Sequence, residues 1–252
     1  MSSPSEIRIF PVSGMPEVKA GDDVARIITE AIRKQGWNIQ EGDVAVVAQK
    51  IVSKAEGRIV SLAEVKPSVR ASEWAATHQK DARLIEVVLR EAASIVKMER
   101  GLIVTRTRHG FVCANSGVDC SNTSAGTATL LPEDPDASAR TLRQRLGTEF
   151  GVNVAVIISD SFGRPWREGL TNVALGVAGI SPLLDYRGVR DGSGNMLQMT
   201  VMARADELAS AAELVMGKTE QIPVAVIRGL SGQSTSGSGR DLIRPADKDL
   251  FR

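Results

Sequence analysis

The sequence places acids, hydroxyls and basic side chains directly after three apolar segments, at residues 49–58, 108–122 and 158–169. These stretches read QKIVSKAEGR, RHGFVCANSGVDCSN and ISDSFGRPWREG. Their candidate residues are Lys50, Lys54 and Arg58, then Asn115, Asp119 and Asn122, then Asp160, Ser161, Arg164 and Arg167. Because mixed folds usually build sites at strand ends that face a cleft, these residues are the first candidates for chemistry.

Two separated carboxylates, Asp119 and Asp160, supplemented by hydroxyl and amide oxygens, form a ligand set that suits a hard divalent cation. Mg²⁺ typically takes one or two carboxylates and leaves its other positions to water and phosphate. Lysine and arginine side chains suit phosphate or carboxylate oxygens. The residue types therefore indicate a metal site with a phosphorylated ligand.

Each of these residues also has a structural interpretation. Asp119 can be a turn residue, and Asp160 can be a helix N-cap. Arg164 and Arg167 can be solvated, and Trp166 is predicted to pack rather than to stack on a ligand. The combination within residues 158–169 nevertheless favours a site, since a simple loop does not need so many residue types that cannot replace one another.

Two familiar motifs are only partly matched. Residues 216–219 (MGKT) resemble the end of a phosphate-binding P-loop, but that loop needs a glycine where this chain has Ala212. The segment also follows a helical pattern, whereas a P-loop follows a strand. With only His78 and His109 in the chain and no Gly-x-Ser-x-Gly elbow, a Ser–His–Asp triad is not supported.

A mixed fold of alternating strands and helices is predicted to position these residues. Residues 153–160 are too apolar to have an exposed face, so they predict an interior strand that ends at Asp160. Residues 174–183 fit either a strand or a closely packed helix. Further strands are predicted over residues 6–12, 43–53 and 222–230, with a hairpin or a strand–turn–strand over 101–119 that turns at Gly110. The predicted helices are residues 22–36 with Asp22 or Asp23 as N-cap, residues 72–98 with a break near Lys80, and residues 134–151 beginning at Asp134 or Asp136.

Length and composition narrow the class of protein. The 252 residues fit one large domain or two modest ones. Since 31 basic residues balance 30 acids and aromatic residues make up 4%, neither nucleic acid nor a membrane surface is an expected partner. No signal peptide and no membrane-spanning run is recognised, so a soluble cytoplasmic protein is expected. Cys113 and Cys120 are predicted to be buried, reduced thiols.

Four segments together resemble the coenzyme F-420-0:gamma-glutamyl ligase family. They are VVAQKIVSKAEGR, RHGFVCANSGVDCSN, LLPEDPDASA, and ISDSFGRPWREG with the later GVAGISPLLDYRG. The likeness runs in order over roughly residues 7–230. No single motif decides it, but the ordered set is highly specific.

The resemblance implies an α+β fold with a mixed sheet of the type found in these ligases, assembled as an intertwined homodimer. Residues 1–252 are then one ligase unit, either undivided or in two subdomains. The C-terminal nitroreductase-like domain of some relatives is not expected. Residues 231–252 are predicted to be a flexible Gly/Ser-rich C-terminal segment.

The resemblance also implies an activity, the GTP-dependent ligation of L-glutamate to coenzyme F-420-0 through an acyl phosphate. The product is F-420-1, and further additions give longer gamma-linked tails. The implied cofactors are Mg²⁺ or Mn²⁺, as two ions, and a monovalent cation such as K⁺, with GTP as co-substrate.

Carried over residue by residue, the family's metal positions match Asp119, Asp160 and Ser161. Asp160 also counts as catalytic, with Arg164 and Arg167 either binding substrate or bracing the loop. The nucleotide positions match Met15, Pro16, Glu17, Gln49, Lys50, Lys54, Asn122, Met216, Gly217 and Lys218. Some relatives have an acid or amide as a further metal ligand where this chain has Lys218. Either Glu220 or Gln221 replaces it, or the second metal is held differently.

Two other functions use the same acids. A metal-dependent phosphohydrolase would release phosphate without glutamate. A non-catalytic nucleotide-binding module would bind GTP with metal and release no phosphate.

Overall fold

A five-stranded mixed sheet forms the centre of the protein in a computed structural model that describes residues 6–230 and 237–250. The described residues contain six α-helices: α1 (Val24–Lys34), α2 (Gln49–Ala55), α3 (Val69–His78), α4 (Ala82–Glu91), α5 (Pro135–Phe150) and α6 (Arg204–Met216). Their strands are β1 (Arg8–Pro11), β2 (Val44–Ala48), β3 (Ile59–Ser61), β4 (Ala92–Glu99), β5 (Leu102–Thr107), β6 (Val112–Ala114), β7 (Thr127–Thr129), β8 (Ala155–Arg164), β9 (Arg167–Ala178), β10 (Leu184–Asp185), β11 (Val201–Met202) and β12 (Val224–Arg228). The mixed α+β class is confirmed.

The main sheet has the strand order β1-β12-β2-β8-β9, and β2 and β8 form its parallel pair. Alternate residues of β2, β8 and β12 pack against α1 and α5 on one face and against α6 on the other. Burial on both faces explains why these strands are almost entirely apolar. The prediction that the strand beginning near residue 153 is interior is therefore confirmed.

Helix ends follow the capping residues that the sequence predicts. The side chain of Asp23 accepts a hydrogen bond from the backbone N–H of Arg26 and begins α1. Asp134 does the same for α5, with Pro135 in its first turn, and Gly151 ends this helix in the left-handed region.

A second layer lies beside the main sheet and contains α3, α4 and the three-stranded sheet β4-β5-β6. Its core consists of apolar residues from these elements and from the short β3–β7 ladder. The hairpin that turns at Gly110 is confirmed as β5 and β6. Asp119, one of the two candidate carboxylates, lies in this layer and bridges to Thr129 of β7.

Three predicted elements were wrong in part. Residues 49–53 begin α2 rather than continuing β2, with Gln49, Val52 and Ser53 buried at a helical spacing. Residues 92–98 form β4 rather than the end of a helix, because they pair with β5. The strand predicted to end at Asp160 continues to Arg164, since β9 pairs with it through the whole hairpin. Residues 174–183, left open between strand and helix, begin as part of β9.

The predicted C-terminal segment is described only in part. Residues 231–236 and 251–252 lie outside the described residues. Two short 3₁₀ turns, Gly239–Leu242 and Ala246–Lys248, occur in the described part, and Gly239 is buried. No helix in residues 6–230 or 237–250 is both long and apolar enough to span a membrane.

Candidate active site

The candidate site lies where β2 ends and its parallel neighbour β8 continues. The last β2–β8 pair is Ala48 with Ser159, so Asp160 is the first β8 residue without a β2 partner. The chain after Ala48 turns directly into α2, whose second residue is Lys50. Side chains at the carboxyl ends of neighbouring parallel strands thus meet at one edge of the sheet.

Lys50 joins this edge to the second layer. Its ammonium group lies 2.6 Å from Asp119 Oδ2 and also donates to the backbone oxygen and the hydroxyl of Ser121, at 2.7 and 2.8 Å. The backbone of Asp119 is fixed by reciprocal hydrogen bonds with Thr129, at 3.0 and 2.8 Å. The structure therefore brings the first two sequence clusters together.

A left-handed turn places Asp119. Asn115, Ser116 and Gly117 have consecutive φ values of 52°, 55° and 71°. For non-glycine residues this region is unfavourable, so the surrounding structure must hold them there. Ser116 is buried, and its hydroxyl lies 2.9 Å from Thr105 Oγ1 and 2.8 Å from the backbone oxygen of Val88.

The two carboxylates differ in their electrostatic environment. The pKa of Asp160 is raised to about 6, chiefly by burial and also by the charge of Asp119, although a hydrogen bond from the Ser161 backbone and the charges of Lys50 and Lys218 act to lower it. Burial also acts to raise the pKa of Asp119, but hydrogen bonds from Lys50 and Ser121 outweigh it, so the net shift is downward. The negative charge of Asp160 is therefore less well stabilised by hydrogen bonds and nearby positive charges than that of Asp119.

Ser161 belongs to a second polar network on the α6 side of the sheet. Its hydroxyl donates to Asn172 Oδ1 at 2.6 Å, and Asn172 Nδ2 donates to Glu213 Oε2 at 2.9 Å. Lys218 donates to Ser161 Oγ and lies 3.2 Å from Glu213 Oε1. Glu220, which the sequence suggested as a replacement acid, instead accepts hydrogen bonds from Thr219.

Glu213 and Asn172 were missed by the sequence reasoning. Glu213 has the sequence context of an ordinary solvated acid in the amphipathic helix α6, and Asn172 lies within a strand. For Glu213 the short distance along α6 to the MGK segment is a signal, whereas no sequence pattern points to Asn172.

The structure places the other predicted nucleotide residues in several segments, including both ends of α2 and the end of α6. Lys54 lies 3.2 Å from the Glu17 carboxylate, and buried Gln49 accepts a hydrogen bond from Ser53 at 2.8 Å. Met15 packs on the main core and Pro16 beside it is exposed. Asn122 is exposed and has a φ of 51°. Met216 is buried at the end of α6, and Gly217 ends that helix next to Lys218.

The two predicted arginines lie on the exposed tip of the β8–β9 hairpin. Arg164 donates to the backbone oxygens of Glu168 and Gly169 and so braces the turn. Arg167 is exposed at the start of β9. Trp166, predicted to pack, has 72% of its surface exposed.

The two cysteines differ. Cys113 is buried as predicted, and burial followed by the charge of Asp160 raises the pKa of its thiol to about 12. The prediction for Cys120 was wrong, because this residue lies in the exposed turn after Asp119.

The donor set fits a hard divalent cation. Within the part of the chain that the structure describes, no group of three or more His, Cys, Asp or Glu residues converges, so protein carboxylates can supply only part of a coordination shell. In the same part of the chain, the buried hydroxyls of Ser159 and Thr129 have no hydrogen-bond partner. Two carboxylates with neighbouring hydroxyl oxygens match Mg²⁺ or Mn²⁺, which keep positions for water and phosphate.

Comparison with known proteins gives one consistent family. Residues 14–229 match the family described as F420-0:Gamma-glutamyl ligase. A protein named coenzyme F420:L-glutamate ligase from Methanothermobacter thermautotrophicus is 48% identical over 249 residues, covering 98% of this chain and 99% of the relative. Proteins of the same name from Methanopyrus kandleri and Methanocaldococcus jannaschii are 47% and 44% identical, covering 98% and 94% of both chains. All the candidate residues from Met15 to Lys218 lie inside the matched region, and the chain belongs to the F420-0:gamma-glutamyl ligase family.

Proposed function

We propose that this protein forms an amide bond between L-glutamate and coenzyme F420-0 with GTP as the energy source. The observation that carries the proposal is the meeting of Lys50, Asp119 and Asp160 at one sheet edge, inside the region that matches the ligase family. The names of the relatives supply the substrates.

Asp119, Asp160 and Ser161 would hold Mg²⁺ or Mn²⁺ at this edge. When bound, two such ions would neutralise charge on the transferring phosphate, with a monovalent cation such as K⁺ as an accessory ion. The nucleotide would lie along the start of α2 and the end of α6, where the ammonium groups of Lys50 and Lys218 can bind phosphate oxygens.

The reaction has two balanced steps. The carboxylate of F420-0 attacks the γ-phosphorus of GTP, and GDP leaves with the electron pair of the broken P–O bond. The amine of L-glutamate then attacks the acyl carbon, phosphate leaves, and the amine gives up its proton. The same site could repeat these steps on the new gamma-carboxylate and lengthen the tail. Catalysis here is mainly positioning and charge stabilisation, so a nucleophilic side chain is not needed.

The intertwined homodimer is part of the same proposal. Two exposed segments carry apolar side chains that a partner subunit would cover. Trp166 and Leu170 on the β8–β9 hairpin are 72% and 66% exposed, and Met199 before β11 is 90% exposed. Contiguous exposed apolar patches usually mark interfaces, and Trp166 and Leu170 share one hairpin tip.

The test is one incubation with F420-0, GTP, L-glutamate and Mn²⁺, read by mass spectrometry together with GDP. We expect a product heavier by one or more glutamyl units, with GDP in matching amount, and no GDP release when glutamate is omitted. Asp160→Asn should form neither product. GDP release at full rate without glutamate would instead establish a phosphohydrolase, and binding of GTP without any turnover would establish a binding module.

A further inference from the structure

The described C-terminal residues 237–243 lie across β9, the edge strand of the main sheet, and we propose that this strap is part of the active-site scaffold, with Asp136 as the positioning residue that anchors it. Asp136 is 7% exposed in the first turn of α5. Its carboxylate accepts hydrogen bonds from the backbone N–H groups of Val177 and Gly239, both at 2.8 Å, and from the hydroxyl of Ser238.

Asp136 does not cap α5, since Asp134 does, so its buried carboxylate has a separate role. All three donors are neutral groups, so the buried charge is compensated by hydrogen bonds and by the positive end of α5 rather than by an ion pair. One of the donors belongs to β9 and two belong to the strap. A single carboxylate therefore ties the N-terminus of α5, the sheet edge and the C-terminal segment together.

Two glycines show how closely the strap is seated, and a third shows how closely α5 packs on the strand beneath it. A Cβ atom at Gly239 would overlap the carbonyl oxygen of Leu175, and one at Gly237 would overlap that of Ile180. A Cβ at Gly176, on the strand beneath, would overlap the carbonyl oxygen of Pro135. Backbone meets backbone at each of these positions, so the strap occupies a built groove instead of resting on side chains.

The C-terminal end of the strap, Ile243, contacts residues that neighbour Asp160 and the β5–β6 turn. Ile243 packs on a small apolar cluster formed by Phe111, Leu131 and Leu175, with Phe162 and Val173 at its border. Val173 is the β9 partner of Asp160. A Cβ on Gly110 would lie 3.1 Å from Ile243 Cδ1, so the side chain also closes on the β5–β6 turn.

These contacts make the strap the element that ties the β5–β6 turn to β9 beside Asp160. The pairing of β8 with β9 is irregular between Ile158 and Ser159, beside Leu175, which is where the strap packs. Such an irregularity locally interrupts the ladder, so the geometry there depends on neighbouring elements. We expect loss of the strap contacts to misplace Asp160 without unfolding the main core.

The chain contains its own reporter for this effect. Cys113 is buried on β6 close to Asp160, whereas Cys120 is exposed. In a Cys120→Ser background, the rate at which a thiol reagent such as DTNB modifies Cys113 measures how often this layer opens. The measurement uses the protein without substrates, whereas turnover rests on the proposed function.

The variants are Asp136→Ala and Ile243→Ala, with Asp136→Asn as the conservative rescue and Ile9→Ala as the matched control. Asparagine keeps one acceptor oxygen for the two backbone amides, and its amide can donate to the Ser238 hydroxyl. Ile9 is half-buried on β1, at the opposite edge of the sheet. Each variant is assayed well below its own melting temperature, and Ser238→Ala replaces Asp136→Ala if that chain does not fold.

We expect both strap variants to raise the Cys113 modification rate and to lower kcat for glutamate addition, each by about tenfold or more. Asp136→Asn should restore most of both, and Ile9→Ala should lower the melting temperature while changing neither. The proposal would be overturned if Cys113 in the strap variants were modified no faster than in Ile9→Ala. It would also be overturned if Cys113 were modified faster but kcat for glutamate addition did not fall. If the wild-type chain forms no glutamyl product, the proposed function fails, while the thiol rates still decide whether the strap holds the layer closed.

Discussion

At the scale of single residues, the cost of burying Asp160 without a bound cation gives a prediction about stability. Its pKa is raised from 3.8 to about 6, so the folded state binds this proton more tightly than the unfolded state. The stabilising contribution is full below pH 3.8 and is lost as the pH rises through about 6. Asp160→Asn should therefore raise the melting temperature of EDTA-treated protein at pH 8 and have little effect near pH 4.

The same change at an exposed carboxylate, Asp247→Asn, is the control and should not change the melting temperature at either pH. Thermal unfolding followed by circular dichroism is sufficient for this comparison. An Asp160→Asn chain that melts lower than wild type at pH 8 would show that the carboxylate is already compensated in the metal-free protein.

Asp119 gives a second prediction at this scale, on metal binding. A ligand that binds only the folded state raises its stability in proportion to the logarithm of ligand concentration over Kd. Millimolar Mn²⁺ should therefore raise the melting temperature of the wild-type chain, and Asp119→Asn should remove most of this shift. Glu17→Gln, which changes an exposed acid beside Lys54, should keep the shift. Equal shifts in all three chains would contradict the assignment of Asp119 as a ligand.

At the scale of elements, the left-handed turn before Asp119 connects backbone geometry to the site. Gly117 has φ 71°, and a Cβ there would lie 2.7 Å from the Leu131 side chain. Gly117→Ala should thus be destabilised both by its backbone conformation and by overpacking, by roughly 2–4 kcal/mol in urea unfolding. Gly126→Ala separates the two effects, since φ is 76° there and the space is open. A similar loss in both variants would mean that packing against Leu131 contributes nothing.

The elements also show what the sequence can and cannot predict. Caps at Asp23, Asp134 and Gly151 are local signals, and they correctly bound α1 and α5. The start of α2 and the whole of β4 were misassigned because short apolar runs fit either period until a partner strand decides. Pairing with β9 likewise extended β8 past Asp160.

The candidate site was likewise predictable only where its residues leave a local pattern in the sequence. Asp119 and Asp160 stand out because acids directly follow apolar runs, and the structure places both near Lys50. Glu213 does not stand out, since only the crossing of α6 beside β9 brings it to Asn172. Contacts between distant segments are set by the packing of whole elements, and such contacts leave no local pattern in the chain.

At the scale of the whole molecule, the site depends on two layers that meet at one edge. The main sheet supplies Asp160, helix α2 that follows β2 supplies Lys50, and the layer of α3, α4 and β4–β6 supplies Asp119. The 2.6 Å contact between Lys50 and Asp119 joins them. Because neither layer holds both carboxylates, any movement between the layers changes the distance on which the proposed phosphate binding depends. The β8–β9 hairpin extends from this same edge, so assembly of two chains and formation of the site are expected to be connected.

The proposed dimer can be tested through that hairpin. Trp166→Ser together with Leu170→Ser removes two exposed apolar side chains that a partner subunit would cover, so this variant should sediment as a monomer where the wild type sediments at twice the chain mass. Val69→Ser, which changes an apolar side chain that is 75% exposed on α3, should leave the dimer intact. Since the hairpin side chains are not buried in the single chain, their loss should weaken assembly far more than it weakens the protomer. A double variant that still sediments like wild type would remove the hairpin from the interface and leave the segment around Met199 to account for it.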